Sequence, residues 1–217
     1  MKTLKYFLIL ILFSVKLECM THDELANHLL RGMAFNDTEL VQKVIDKGNN
    51  EVLKFSLIQA ASIRKIKTQI LDMLLKAGAD IEAKDDNNHM PLLRAIVAEN
   101  IGVIKFLIKQ GVNVNRRING DSILACAINS NNVSIVKLLV ENGADIFIPA
   151  FFHLLPIDYA KMRKSSEIIK YLELKRVNIM RRLRKKGVVL ELYIPVTALV
   201  ELVLGYLGSD FGPRKRI

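Results

Sequence analysis

One stretch of the chain repeats itself. Met90–Asn115, MPLLRAIVAENIGVIKFLIKQGVNVN, superposes on Ser122–Phe147, SILACAINSNNVSIVKLLVENGADIF, at a shift of 32 residues. Ala95 falls on Ala127 and Gly111 on Gly143, and the apolar positions coincide throughout. Ser56–Glu82 fits the same frame with one extra residue between its two apolar segments, and Leu155–Glu173 matches the first two-thirds of another copy. Asn27–Gly48 is a degenerate first copy, so Gly48, Gly78, Gly111 and Gly143 recur at intervals of 30, 33 and 32 residues. A period of this size marks an array of stacked supersecondary units rather than a domain with one closed core.

Within each copy the apolar spacing predicts two helices. The first carries Leu92, Leu93, Ala95 and Ile96; the second carries Val103, Ile104, Phe106, Leu107 and Ile108. One such pair has too little apolar surface to fold alone and must bury it against its neighbours. The glycines follow the second helix, where a left-handed residue closes the helix end.

These residues resemble the ankyrin repeat, whose first helix opens on Thr-Pro-Leu-His-x-Ala and whose second ends in Leu-Leu-x-x-Gly-Ala-Asp. DMLLKAGADIEAKD and KLLVENGADIF match the second half closely. In the first half Met90, Ser122 and Leu155 stand where Thr is usual, and among them only Ser122 has a side chain able to cap its helix, worth about 1 kcal/mol. The resemblance runs from about Asp23 to Arg176. It implies an all-α solenoid of helix-turn-helix units with short inter-repeat fingers, plus a C-terminal helix.

Three segments are expected: residues 1–19, 20–176 and 177–217. The first, MKTLKYFLILILFSVKLEC, places Lys2 and Lys5 ahead of an apolar core from Tyr6 to Val15. That core is too short to span a bilayer and suits a cleaved secretory signal peptide, giving a secreted or periplasmic protein, or one delivered into a host cell. Next comes Thr21-His22-Asp23-Glu24, a capping box, with Met20 and Leu25 placed as a hydrophobic staple. Cleavage after Cys19 leaves Cys126 alone, so stability is expected from packing without an intrachain disulfide; a monomer is also expected.

No catalytic constellation is visible. His22 and His28 lie at the start of the array and His89 and His153 on later copies, and none pairs with a cysteine at metal-ligand spacing. Phosphate-binding Gly-Lys-Ser/Thr, Gly-x-Ser-x-Gly and His-Glu-x-x-His motifs are absent from the sequence. Asp85 and Asp86 read as solvated loop acids. The expectation is a non-enzymatic protein with no cofactor and no metal, acting on a protein partner.

The resemblance places recognition on a concave face lined by the fingers KDDNNH, RRINGD and PAFFHL and by the exposed side of each first helix. It implies partner contacts from Asp86, Asn87, His89, Arg116, Ile118, Asn119, Asp121, Asn129, Ser130, Phe151 and Phe152, flanked by Val97, Ala98, Met162 and Arg163. Phe151 and Phe152 read either as aromatic anchors for a partner or as a cover for the last repeat's core.

The formal charge of +10 is concentrated late: from Lys161 to Ile217 there are fourteen Lys and Arg against five acids. RRLRKK lacks interleaved aromatics, and nucleic-acid binding is not expected. YIPVTALVELVLGYLG is apolar but carries Pro195 and Glu201, which oppose a membrane span. After Pro195 the apolar residues Ala198, Leu199, Leu202, Val203, Tyr206 and Leu207 share one helical face. The segment resembles the start of an F-box, which docks on the adaptor of cullin-type ubiquitin ligases. On that resemblance Pro195, Leu199, Leu202, Val203 and Tyr206 form a docking helix; a helix that only caps the repeats explains the same residues.

Overall fold

The structure, a computed structural model, describes residues 21–47, 50–149 and 154–185. Residues 1–20 and 186–217, which hold the expected signal peptide and docking helix, lie outside that description. The chain divides into two compact units at Leu172/Glu173.

Helices come in pairs, as the period requires. The first pair is α1 (His22–Phe35) and α2 (Thr38–Lys47). A single turn, α3 (Asn50–Lys54), precedes the second pair, α4 (Ser56–Ala61) and α5 (Thr68–Lys76). The third is α6 (Pro91–Val97) and α7 (Ile101–Lys109), and the fourth is α8 (Ile123–Asn129) and α9 (Val133–Glu141). A two-residue hairpin, β1 (Arg117–Ile118) and β2 (Asp121–Ser122), joins the third pair to the fourth. The last pair is α10 (Pro156–Met162) and α11 (Ser166–Lys185), the latter crossing from one unit into the other.

First helices stack on first helices: α1 on α4, α4 on α6, α6 on α8 and α8 on α10. Among second helices α2 packs on α5 and α5 on α7. The buried face of the first helices is Leu57–Ile58, Leu92–Leu93, Ile123–Leu124 and Ile157, and that of the second is Ile70–Leu71, Val103–Ile104, Ile135–Val136 and Ile168. A column of small residues runs through the first-helix layer: Ala60, Ala95, Ala127 and Ala160 are all 0% exposed. Gly32 holds the same place in the first pair, where an added Cβ would come within 2.9 Å of Val41 Cγ2. Position by position this column sets how closely helices can approach.

The caps follow the sequence. Thr21 and Glu24 close the capping box reciprocally, and Ser122 Oγ accepts from the Ala125 N–H at 3.2 Å. Met90 and Leu155 supply no side-chain cap, but each precedes a proline in the first helical turn. The second helices are capped by residues the repeat pattern does not single out: Asn100 Oδ1 accepts from the Val103 N–H and Asn132 Oδ1 from those of Ser134 and Ile135.

Two kinds of left-handed helix end recur along the array, and the third and fourth repeats contain both. The outer one is the expected glycine, with φ of 98° at Gly78, 87° at Gly111 and 92° at Gly143. There the next residue donates back to the helix, as from Val112 N–H to Leu107 O at 3.2 Å. The inner one, closing the first helix, is Asn36, Glu99, Asn131 or Lys164, at φ between 53° and 58°. The matching bonds run from Asp37 to Gly32, from Asn100 to Ala95 and from Ser165 to Ala160. Asn tolerates this conformation; Lys and Glu tolerate it less.

A Cβ at Gly111 meets nothing within 4 Å, so Gly111→Ala isolates the backbone term. We expect it to destabilise by about 1–2 kcal/mol in chemical denaturation, while Lys164→Asn, which relieves the same strain, stabilises by up to about 1 kcal/mol. Equal stabilities for Lys164→Asn and the parent would contradict the strain assigned to position 164.

Candidate protein-interaction face

Asp85 organises the finger between the second and third pairs. Its Oδ1 accepts from the Asn87 and His89 N–H groups at 3.0 and 2.8 Å. Its Oδ2 accepts from Arg94 Nη2 at 2.9 Å and lies 3.2 Å from His89 Nδ1. The Asp85 N–H donates to His89 O and the Asn88 N–H to Asp85 O, closing the loop, with Asn88 left-handed. Burial pushes the Asp85 carboxyl up, but the donors around it outweigh this and hold it below the usual carboxylate range. The two neighbouring acids therefore differ: Asp86 and Asn87 are exposed, whereas Asp85 is a structural acceptor rather than a solvated loop acid.

The next finger is the hairpin, turned by Asn119 and Gly120 at φ of 51° and 91°. Asn-Gly is the dipeptide such tight hairpins favour, a signal visible in RRINGD that the repeat frame obscured. Arg117, not singled out from the sequence, donates from Nε and Nη2 to Gly120 O at 3.0 and 2.7 Å, and from Nη2 to Pro149 O at 3.2 Å. The pairing sends alternate side chains to opposite sides, and Ile118 goes inward, 4% exposed. Ile118 thus belongs to the core and offers no surface to a partner, contrary to its expected place among the contacts.

Arg116 and Asn119 are exposed; His89, Asp121 and Ser130 are half-buried. Asn88 Nδ2 donates to Asn119 Oδ1 at 3.1 Å and ties one fingertip to the next. Lower down, Glu82 Oε1 accepts from the Asn113 N–H at 2.9 Å, and Arg116 Nε lies 3.7 Å from Glu82 Oε2. Asn115 links onward, donating to Gly143 O and accepting from the Asp145 N–H, at 2.9 and 2.8 Å. The fingers are a hydrogen-bonded series.

Beside them the first helices present a row of equivalent positions, Val97, Asn129 and Met162. Val97 is 66% exposed and Met162 53% exposed, with the polar Asn129 between them. Tyr159 OH donates to Asn129 Oδ1 at 3.2 Å and fixes its amide. Cys126 lies half-buried on the same helix, its thiol pushed up to about 11 by burial and by the charge of Asp121, so it is a poor nucleophile near neutral pH. Phe151, Phe152 and His153 lie outside the described residues, as do Pro195, Leu199, Leu202, Val203 and Tyr206.

Among the described residues no three His, Cys, Asp or Glu side chains converge as a metal site, and no helix is long and apolar enough to cross a membrane. What the geometry offers is an exposed face of fingers and helix positions on a rigid stack.

The family model for ankyrin repeats matches residues 57–150, in three copies. This span carries ankyrin repeats. It takes in the second, third and fourth helix pairs, both described fingers and the exposed row at Val97 and Asn129. No curated protein matches the chain significantly. Ankyrin repeats are a protein–protein interaction module, and a protein partner follows for this one.

Because the Asp85 carboxyl is depressed in the folded state, its stabilising effect is present at neutral pH and is lost as pH falls below the ordinary 3.8. Asp85→Asn should melt below the parent at pH 7, with the gap narrowing toward pH 3. A gap that stays constant across that range would show that Asp85 does not act through its charge.

Proposed function

We propose that the protein is a non-enzymatic adaptor that holds a protein partner on the face built from its fingers and first helices. The observation that carries this reading is the exposed row Val97–Asn129–Met162 beside hydrogen-bonded fingers bearing Asp86, Asn87, Arg116 and Asn119. Two exposed apolar side chains in register supply contact area, and the polar fingers around them supply a rim. The stack itself holds these groups in place before binding, which lowers the entropy cost of association.

A photo-crosslinking residue tests the face directly. Placed at Val97 or Met162 it should give a discrete adduct with the bound partner, and at Lys105, exposed on α7, it should give none. Adducts of equal yield from all three positions would remove the assignment.

The finer reading is a secreted effector: residues 1–19 direct export, the repeats recruit a target, and Pro195, Leu199, Leu202, Val203 and Tyr206 recruit a ubiquitin-ligase adaptor. Its support is sequence resemblance in the two terminal segments. Calorimetry of Met20–Ile217, and of the same chain cut after Lys186, against the ligase adaptor subunit separates this from a scaffold with a capping helix. The effector reading expects micromolar or tighter binding that truncation abolishes while the repeats stay folded. Absent binding with a lowered melting temperature on truncation would make the segment a cap.

A further inference from the structure

The second repeat breaks the pattern at the ends of the helices remote from the fingers. Two or three residues join first to second helix in the other pairs, but six, Ser62–Lys67, do so between α4 and α5. The left-handed residue found there in every other repeat is missing, and the chain makes an extra turn instead, Ile66 N–H to Ile63 O at 3.4 Å. Arg64 and Lys65 are the two central residues of that turn, Lys67 follows, and all three side chains are exposed.

Both neighbouring repeats hold this loop. From one side Asn36 Nδ2 donates to Lys65 O at 2.9 Å, and the Lys67 N–H donates to Asn36 Oδ1 at 2.7 Å. From the other, Asn100 Nδ2 donates to Ile63 O and to Arg64 O, both at 2.9 Å. Ile66 is buried beneath, 8% exposed. An exposed loop whose backbone is fixed at four points and by an apolar anchor holds the points from which its side chains project in one arrangement. Lys67 Nζ reaches Asn36 O at 3.4 Å, but among the described residues no carboxylate forms an ion pair with Arg64, Lys65 or Lys67.

We infer that this loop is a second docking point, separate from the finger face, for a short acidic segment of a partner protein. The cations form one compact group, suited to a few adjacent carboxylates and to bidentate pairing with Arg64. Acids bound the group along the row of helix-joining turns: Asp37 and Glu39 follow Asn36 on one side, and Glu99 precedes Asn100 on the other, all exposed. A nucleic-acid backbone or an anionic bilayer presents charge over many repeats' width and would meet those acids. A short acidic peptide would not.

The test is fluorescence anisotropy with a labelled peptide bearing three consecutive glutamates between neutral residues. The full chain should bind it in low salt, and Arg64→Glu with Lys65→Glu should weaken binding by at least about tenfold. Lys105→Glu with Lys109→Glu makes the same charge change on exposed positions of α7 and should leave binding within about twofold. Melting temperatures check that every variant folds, and Arg64→Gln with Lys65→Gln serves if the reversal disturbs folding. Loss of equal size in the α7 variant would reduce the effect to net charge and overturn the proposal. So would absent peptide binding, or binding of phosphatidylserine vesicles or single-stranded DNA that the loop variant abolishes while peptide binding survives.

Discussion

Gly32, Ala60, Ala95, Ala127 and Ala160 occupy one position in five successive first helices, and each is buried. This column governs the structure because a repeat stack has no other way to close its core. Each helix pair is too small to cover its own apolar face, so it must lie against the next at a fixed spacing. A larger side chain at that position would part the layers and open voids that Leu92, Ile104 or Ile123 could not refill, at a cost of about 1–3 kcal/mol. Stacking of like helices on like helices follows from the same repeated geometry.

Backbone ends are the second requirement, since five helix pairs mean many unsatisfied N–H and C=O groups. The protein meets it with recurrent left-handed turns and with side chains that serve two repeats at once. Asn100 caps its own helix and donates to the carbonyls of Ile63 and Arg64 in the preceding repeat. Asn132 caps α9 and donates to Glu99 Oε2, and Ser165 Oγ donates to Asn131 Oδ1 at 2.6 Å. These bonds run in parallel with the apolar stack, so separating two repeats would leave both apolar surface and polar groups unpaired.

Such a scaffold leaves its surface free to vary. The fingers differ in charge at equivalent positions: Asp85 braces one loop through Arg94 and His89, and Arg117 braces the next through the carbonyls of Gly120 and Pro149. Opposite charges thus perform one structural task, which leaves Asp86, Asn87, Arg116 and Asn119 available for contact. The departure at Ser62–Lys67 is of the same kind, because neighbouring asparagines satisfy the carbonyls that a longer loop exposes.

The repeat, the helix pairs, the glycine-terminated second helices and the Ser122 and Thr21–Glu24 caps could all be read from the sequence. Each depends on residues close together in the chain: a helical period, a left-handed glycine, a hydroxyl three residues from its donor. The left-handed turns at Glu99 and Lys164 could not be read so, because the stack forces them on residues that do not favour that conformation. Ile118 looked like a finger residue, and only the pairing of β1 with β2 turned it into the core. Asp85 and Asp86 are indistinguishable in the string of letters; Arg94, nine residues away, makes one of them structural. Local sequence determined where helices begin and end, because propensity and capping act over a few residues. Tertiary structure alone decided which exposed-looking side chains are buried and which loop is pinned by its neighbours, because those outcomes depend on contacts between repeats some thirty residues apart.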